Sequence, residues 1–588
     1  MPAFTRLFEL PQYQLSRYPK EDCLSYKENG EWKSYNTQQV LDYMNKVSLA
    51  LLASGIGKGD VVSIVGNNRP EWNFVDLGIM QIGAVNVPIY PTVSDEDYVY
   101  ILNNAETKML FVSSEELYSR MKKLQPRISS LKEIFTFNEV IGAPHWNEFL
   151  KRGVGKDISS ISKYSDAVTV DDLCCMIYTS GTTGFPKGVM LTHRNIVSNL
   201  VAVSDVLPIN ETHHALSFLP LNHVFEKIVI YAYLMKGVSV YYAESMETIG
   251  DNLREVKPYF FTCVPRLLEK VYEKIVAKGS ELTGVKHALF FWALSLGERW
   301  DNQKNHGLWY KLQLKLAQRL IFSKWLAALG GNVFALVSGS APLNPKLARI
   351  FTAAGIRIME GYGLTETSPV ITVNRYEFEN NMIGSVGPLI NGVEVKIAAD
   401  GEILCKGPNV MKGYYKLPEE TTKAFDVNGW FCTGDIGEMV NGKFLKITDR
   451  KKELFKTSGG KYVAPQPIEN KFKESNFIEQ MMVIGDGRKF VTGLIVPSFA
   501  NLKSWCEKNG IVLHGNSEAT TNPKIIELIQ KVVDENNKSM GHTEQIKKFR
   551  LLPEEWTIQG GQLTPTLKLK RKVIMERYKE IIEKMYSE

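Results

Sequence analysis

The sequence predicts an α/β protein: a large N-terminal domain of α/β subdomains plus a β-rich subdomain, followed by a small α+β C-terminal domain. Three observations predict it. Short β-rich runs alternate with helical patterns from residue 36 onward, and short strands split by glycines replace that alternation after Ile383-Gly-Ser-Val-Gly-Pro388. The charged stretch Asp449-Arg-Lys-Lys-Glu453 then precedes a new run of strands and helices of ordinary domain size. A chain of 588 residues exceeds what one hydrophobic core serves, so two or more domains are expected. The division is placed at 1–449 and 450–588.

In chain order, residues 36–53 read as an amphipathic helix. Val61-Val-Ser-Ile-Val65 reads as a buried strand ending in Gly66-Asn-Asn, 72–82 as a helix and Ala84-Val-Asn-Val-Pro88 as a second strand. Further strands are expected at 109–112, 134–137, 215–218 and 239–242. Residues 267–329 differ. They lack proline after Pro265, contain Phe290-Phe-Trp292 and Trp309-Tyr310, and are rich in lysine and arginine from Lys286 on. Two readings stand: a packed helical pair with a solvated basic face, or a basic, aromatic segment lying on an anionic membrane surface.

Composition narrows the function classes. Hydrophobic residues at 44% and charged residues at 23% suit a soluble globular protein, and a net charge of +6 suits polyanionic ligands or anionic lipid but is too weak to argue for nucleic acid. The seven scattered cysteines show no metal-spaced pair, and no signal peptide or spanning run is visible. A cytoplasmic protein is expected, with peripheral contact on the inner face of a membrane and oligomerisation left open.

The strongest local signal is Tyr178-Thr-Ser-Gly-Thr-Thr-Gly-Phe-Pro-Lys-Gly188, between the apolar runs Leu173-Cys-Cys-Met-Ile177 and Val189-Met-Leu191. Gly181, Gly184 and Gly188 let backbone N–H groups approach a ligand. Thr179, Ser180, Thr182 and Thr183 add hydroxyls, and Lys187 adds a mobile cation. Such a loop holds phosphate oxyanions. It is not a Walker A loop, because Gly188 and a strand follow the lysine, and Gly361-Tyr-Gly363 is not a Rossmann fingerprint, because Glu366 falls where the third glycine belongs.

Residues 179–188 resemble the phosphate loop of the adenylate-forming superfamily, which includes acyl-CoA synthetases, luciferases and peptide-synthetase adenylation domains. The resemblance runs in motif order from about Asn36 to Lys572. It implies an ATP-, Mg²⁺- and coenzyme A-dependent ligase with a mobile C-terminal domain. Glu360-Gly-Tyr-Gly-Leu-Thr-Glu366 resembles the adenine and magnesium motif. This implies that Tyr362, flanked by Gly361 and Gly363, stacks on adenine, that Thr365 lies near the α-phosphate, and that Glu366, with Thr182, binds Mg²⁺. Ser338-Gly-Ser-Ala-Pro342 resembles the lining of the adenine and acyl pockets, through Gly339, Ser340 and Ala341; from the residues alone a tight strand-to-helix turn is as good a reading.

Trp430-Phe-Cys-Thr-Gly-Asp435 resembles the ribose motif, with Asp435 and Arg450 on the ribose. Lys452 falls where the superfamily places its hinge, an ordinary linker lysine being the other reading. Ser458-Gly-Gly-Lys-Tyr462 resembles the loop lining the pantetheine tunnel, through Gly459 and Gly460, although a hairpin turn would look the same. Gly561-Gln-Leu-Thr-Pro-Thr-Leu-Lys-Leu-Lys-Arg571 resembles the C-terminal lysine motif. It carries Thr-Leu-Lys where other members have Ser-Gly-Lys, which makes Lys568 the catalytic lysine and Lys570 the alternative register.

Pro220-Leu-Asn-His-Val-Phe-Glu-Lys227, Pro265-Arg-Leu-Leu-Glu-Lys270 and residues 453–465 resemble the long-chain acyl-CoA synthetase subgroup. His223 is read as near the acyl carboxylate; with Glu226 it makes only two candidate metal ligands, too few for a site. The expected reaction joins a long-chain fatty acid to coenzyme A through an acyl-adenylate. The alternatives are an acyl-AMP ligase serving a carrier protein, an inactive acid- or nucleotide-binding protein and, more distantly, a luciferase-like oxygenase.

Overall fold

The computed structural model describes residues 4–179, 185–451, 453–564 and 568–587. The chain forms two compact units. One comprises 1–396, 404–432 and 440–445, and the other 397–403, 433–439 and 446–588.

The first unit holds two large sheets. The seven-stranded sheet runs in the order Gly413–Tyr414, Lys187–Thr192, Leu173–Thr179, Val85–Ile89, Val61–Val65, Thr107–Val112, Glu133–Thr136. Its inner strands are parallel, whereas Lys187–Thr192 and Gly413–Tyr414 add antiparallel at one edge. Val61–Val65 and Val85–Ile89 are buried at every position, which is why they read as continuous apolar runs rather than alternating ones. The eight-stranded sheet runs Val370–Val373, Arg357–Gly363, Ala335–Ser338, Phe260–Cys263, His214–Ser217, Ser239–Tyr242, Leu24–Glu28, Glu31–Tyr35, parallel except at its two edges.

The helices follow local chemistry. Thr37–Ala53 starts at Asn36, whose side chain accepts from the Gln39 N–H while the Gln39 side chain accepts from the Asn36 N–H, a reciprocal cap. It packs on Pro70–Gln81, which is buried along its whole length. Gly78 permits the contact, because a Cβ there would lie 2.5 Å from Val47 Cγ1. Asn68 donates to Ser217 Oγ (3.0 Å) and the Leu219 carbonyl (2.6 Å), and Asn222 donates to the Ile89 carbonyl (2.8 Å). These bonds tie together loops at the carboxyl ends of both sheets, the location where open α/β sheets bind ligands.

Helix Val224–Lys236 carries a buried carboxyl and a buried ammonium. Lys227 pairs with Asp76, which also accepts from Tyr231 and, at 2.6 Å, from Asn86. Burial opposes the Lys227 charge, but Asp76 outweighs it and holds the ammonium above its ordinary value. Glu226 accepts from Ser217 Oγ and Thr262 Oγ1, each at 2.7 Å. Burial pushes its carboxyl up to about 7 in spite of those two bonds. A carboxyl that keeps its proton longer in the native than in the unfolded chain stabilises fully below its ordinary pKa of 4.5. That contribution is lost as pH rises through about 7, up to about 3 kcal/mol. Glu226→Gln is therefore expected to flatten the fall in the urea unfolding midpoint between about pH 5 and pH 8. An unchanged slope would assign the fall to another group.

A further four-stranded sheet lies over 394–450. The second unit also contains a three-stranded sheet, Ile478–Ile484, Val491–Pro497 and Ile546–Leu551, and a two-stranded one, Phe455–Lys456 and Tyr462–Val463. Helices Pro465–Phe472 and Pro523–Asn537 bury Phe472 and Ile529 in one of its apolar clusters. Helices Arg571–Arg577 and Lys579–Ser587 bury Ile574 and Met585 in the other.

Candidate active site

The motif residues of the first unit cluster by topology. Thr179 ends strand Leu173–Thr179, Gly339 follows Ala335–Ser338, Thr365 follows Arg357–Gly363, and His223 lies beyond His214–Ser217. Each therefore stands at the carboxyl end of a strand. Pairing of Ser338 with Glu360 brings Gly339 beside Gly361, and a Cβ on Gly339 would meet the Phe225 ring at 3.3 Å. Ser340 adopts a left-handed backbone (φ 69°), and Ala341 is exposed. Gly363 is sterically obligatory: a Cβ would fall 1.7 Å from the Pro369 carbonyl oxygen. The preceding Tyr362 is 8% exposed.

The geometry around Lys187 and Glu366 is the most telling. Lys187 opens its strand opposite Thr179, and its Nζ lies 2.5 Å from Glu420 Oε2. Lys187 and Lys423 hold the Glu420 carboxyl down at about 2. Lys187 Nζ also sits 5.2 Å from the centroid of the Tyr414 ring. The Tyr414 hydroxyl donates to Glu366 Oε1 at 2.8 Å, and burial beside that carboxylate pushes the phenol above its ordinary range. The Glu366 carbonyl accepts from the Met411 N–H at 2.8 Å. Lys187 and Glu366, two expected phosphate- and metal-binding groups, are thus joined across one tyrosine.

The residues fit magnesium carried by a nucleotide. A lone hard carboxylate, oriented by one phenol on the short 3₁₀ turn Thr365–Thr367, suits an ion that keeps its waters and phosphate ligands. Among the described residues no group of three His, Cys, Asp or Glu could hold a metal by itself. His223 caps helix Val224–Lys236, its Nδ1 accepting from the Phe225 N–H at 3.1 Å. Glu226, three residues beyond His223, is turned into the sheet, so the two do not form a metal pair.

In the second unit Asp435 is buried and its Oδ1 lies 3.2 Å from Arg450 Nε, so the two expected ribose ligands are neighbours. Gly459 and Gly460 lie in an exposed turn between Lys456 and Tyr462, with the Ser458 N–H donating to the Arg488 carbonyl at 2.8 Å. The Thr564 N–H donates to the Lys568 carbonyl at 2.8 Å and the Lys568 N–H to Thr564 Oγ1 at 3.0 Å. Arg571 belongs to the framework, pairing with Glu469 at 2.7 Å and Glu453 at 3.2 Å. Ser180, Gly181, Thr182, Thr183, Gly184 and Lys452 lie outside the described residues.

Three site groups were not evident in the sequence. Tyr414 and Glu420 sit in an unremarkable stretch, and their only signal was the Gly413-Tyr-Tyr and Pro418-Glu-Glu runs. Glu360 was quoted only as the head of a motif. Its carboxyl is buried, accepts from the Leu343 and Gly384 N–H groups, and is pushed by burial up to about 8. It ties the loop after Ser338 to the glycine-rich turn.

Comparison with known proteins agrees with this geometry. The AMP-binding enzyme family profile matches residues 11–415, and the AMP-binding enzyme C-terminal domain matches 453–588. Long-chain-fatty-acid–CoA ligase FadD15 of Mycobacterium bovis is 34% identical over 95% of this chain and 93% of its own length. Human long-chain-fatty-acid–CoA ligase 1 is 32% identical over 95% and 82%. Among solved structures, the adenylation domain of a carboxylate reductase from Mycobacterium chelonae superposes with a TM-score of 0.76 at 21% identity, covering 100% of this chain and 92% of that one. That likeness concerns the fold. Motif order, strand-end clustering and the two family matches lead to one assignment: the chain belongs to the AMP-binding enzyme family.

Proposed function

We propose that this protein is a long-chain fatty acid–CoA ligase that works through an acyl-adenylate. The observation that carries the reading is the joining of Lys187 and Glu366 across Tyr414, in a chain related along nearly its whole length to ligases of that name.

A carboxylate is a poor acyl donor, because its leaving group would be oxide. In the first step a carboxylate oxygen of the fatty acid attacks the α-phosphorus of ATP, and the bond to pyrophosphate breaks. Two anions must meet, so the site has to present positive charge and N–H donors in advance. Lys187 exchanges Glu420 for the triphosphate, Thr365 and the loop 179–184 hold phosphate oxygens, and Lys568 bridges the carboxylate and the α-phosphate. Glu366 with Thr182 would hold the magnesium that arrives with ATP, and that ion would neutralise phosphate charge. Asp435 and Arg450 orient the ribose, and Tyr362 packs on the adenine. In the second step the thiol of coenzyme A, passing Gly459 and Gly460, attacks the acyl carbon and AMP leaves. Lys452 is the hinge between the two steps, and the working domains are 1–449 and 450–588. His223 sits near the acyl carboxylate.

The same reading puts the enzyme in the cytoplasm, on the inner face of a membrane, where a long-chain acid resides. Its seven cysteines are free thiols, which suits a reducing compartment. No helix among the described residues is long and apolar enough to cross a membrane.

AMP release across fatty acids of increasing length, with coenzyme A or an acyl carrier protein as acceptor, tests the proposal. Acyl-CoA and AMP in equal amounts with long-chain acids are expected. Acyl transfer only to the carrier would make the protein an acyl-AMP ligase, and no pyrophosphate release with any acid would make it a binding protein.

A further inference from the structure

Residues 308–328 form one continuous helical rod: Leu308–Ala317, a π-helical turn Gln318–Phe322, and Ser323–Ala328. At 1.5 Å per residue it is about 30 Å long. One side is anchored. Leu314, Ala317, Phe322 and Trp325 are buried in an apolar cluster with Leu296 and Phe351. The Tyr310 hydroxyl donates to the Leu296 carbonyl at 2.7 Å, and the Gln318 side chain donates to the Ala353 carbonyl at 2.8 Å.

The opposite side is exposed and apolar. Leu308, Leu312, Leu316 and Leu320 recur every four residues with exposures of 82, 61, 49 and 43%, and Trp309 beside them is 73% exposed. A stripe of this kind at helical spacing normally faces a core. Lys311, Lys315 and Arg319 repeat at the same four-residue interval along its flank and are all exposed, with Lys324 one turn further. Residues 308–328 contain no aspartate or glutamate, and none of these four cations pairs with a carboxylate among the described residues. An apolar stripe bordered by uncompensated cations is the chemistry of a helix lying in the interface of an anionic bilayer.

We infer that the outer face of 308–324 docks on an anionic lipid surface, with the leucines and Trp309 in the acyl boundary and Lys311, Lys315 and Arg319 at the headgroups. This rests on the proposed use of long-chain acids. Each methylene adds about 0.8 kcal/mol of membrane partition, so a long-chain acid is concentrated in the bilayer, and a ligase seated there meets its substrate at high local concentration. A protein partner would need acidic groups to match the cations. The bilayer supplies the negative charge and the apolar layer together.

The full-length protein is sedimented with phosphatidylglycerol–phosphatidylcholine vesicles and with phosphatidylcholine alone. Two double variants are compared: Leu312→Glu with Leu316→Glu, and Lys311→Glu with Lys315→Glu. None of these residues belongs to the catalytic machinery. The parent is expected to partition at least about tenfold better onto anionic vesicles, and less well at high salt. The leucine variant is expected to lose about tenfold or more, and the lysine variant on the order of a hundredfold. ATP–pyrophosphate exchange with a short, water-soluble acid stays at the parent level, while the rate with a long-chain acid presented in anionic vesicles falls. Equal binding of parent and variants to anionic vesicles would overturn this surface while leaving the ligase reading intact. So would equal binding of the parent to neutral vesicles, or loss in the leucine variant of a self-association seen without lipid. No binding by the parent, with long-chain ligase activity retained, would overturn membrane docking altogether; absence of long-chain activity would instead remove the reading on which the inference rests.

Discussion

Lys568→Ala is expected to lower pyrophosphate release by on the order of 10²–10³, the cost of removing one preorganised donor from a reacting phosphate. Thioester formation from supplied acyl-adenylate and coenzyme A should change far less, because no phosphate bond breaks in that step. The backbone of Lys568 is fixed on both sides by Thr564, so truncating its side chain removes an ammonium without loosening the segment. Lys570→Ala is the informative control. The Lys570 N–H donates to the Gln562 carbonyl at 2.8 Å, and helix Arg571–Arg577 begins immediately after it. If Lys570→Ala gave the large loss and Lys568→Ala did not, the catalytic register would move by two residues. If both half-reactions fell together with the melting temperature, the segment would be structural, as Arg571 is through its pairs with Glu469 and Glu453.

Much of this architecture was legible from the residues alone, for reasons particular elements make clear. Val61–Val65 is buried on both faces, so an unbroken apolar run marked it. Residues 36–53 announced a helix through their amphipathic pattern, and the structure starts it at Asn36 with a reciprocal cap to Gln39. Tyr414 left no such mark. It reaches Glu366, 48 residues away, because the two-residue strand Gly413–Tyr414 pairs with Lys187–Thr192, and two residues carry no periodicity. Glu420 meets Lys187 across 233 residues, a contact made by tertiary packing that no local pattern encodes. Glu226 and Lys227 are a related case. The sequence offered Glu226 only as half of an insufficient metal pair and said nothing particular of Lys227, whereas a helix buried around nearly its whole circumference turned one into the sheet and the other onto Asp76. Within the basic segment 267–329 the rod 308–328 has a packed inner side and an exposed outer side, a division that the run of helical residues alone did not mark.

Glu366→Gln should reduce ATP–pyrophosphate exchange by about 10²–10³, and excess magnesium should restore only part of it. The substitution separates charge from shape. Glutamine keeps an acceptor oxygen for the Tyr414 hydroxyl, so the 2.8 Å bond and the turn Thr365–Thr367 can persist. What it loses is the negative oxygen that a hard divalent ion prefers. Tyr414→Phe serves as the calibrating variant. It removes one neutral donor to a charged acceptor, about 1.5–3 kcal/mol, or roughly 10- to 150-fold, and leaves the carboxylate in place. Its effect should therefore be smaller and largely recovered at high magnesium, since the carboxylate is kept and has only lost its orientation. Both are read from exchange rates over a magnesium titration with a saturating acid. A Glu366→Gln enzyme with parental exchange would remove Glu366 from the metal site. A Tyr414→Phe loss as deep as that of Glu366→Gln, and unresponsive to magnesium, would mean that the phenol positions Lys187 rather than the carboxylate.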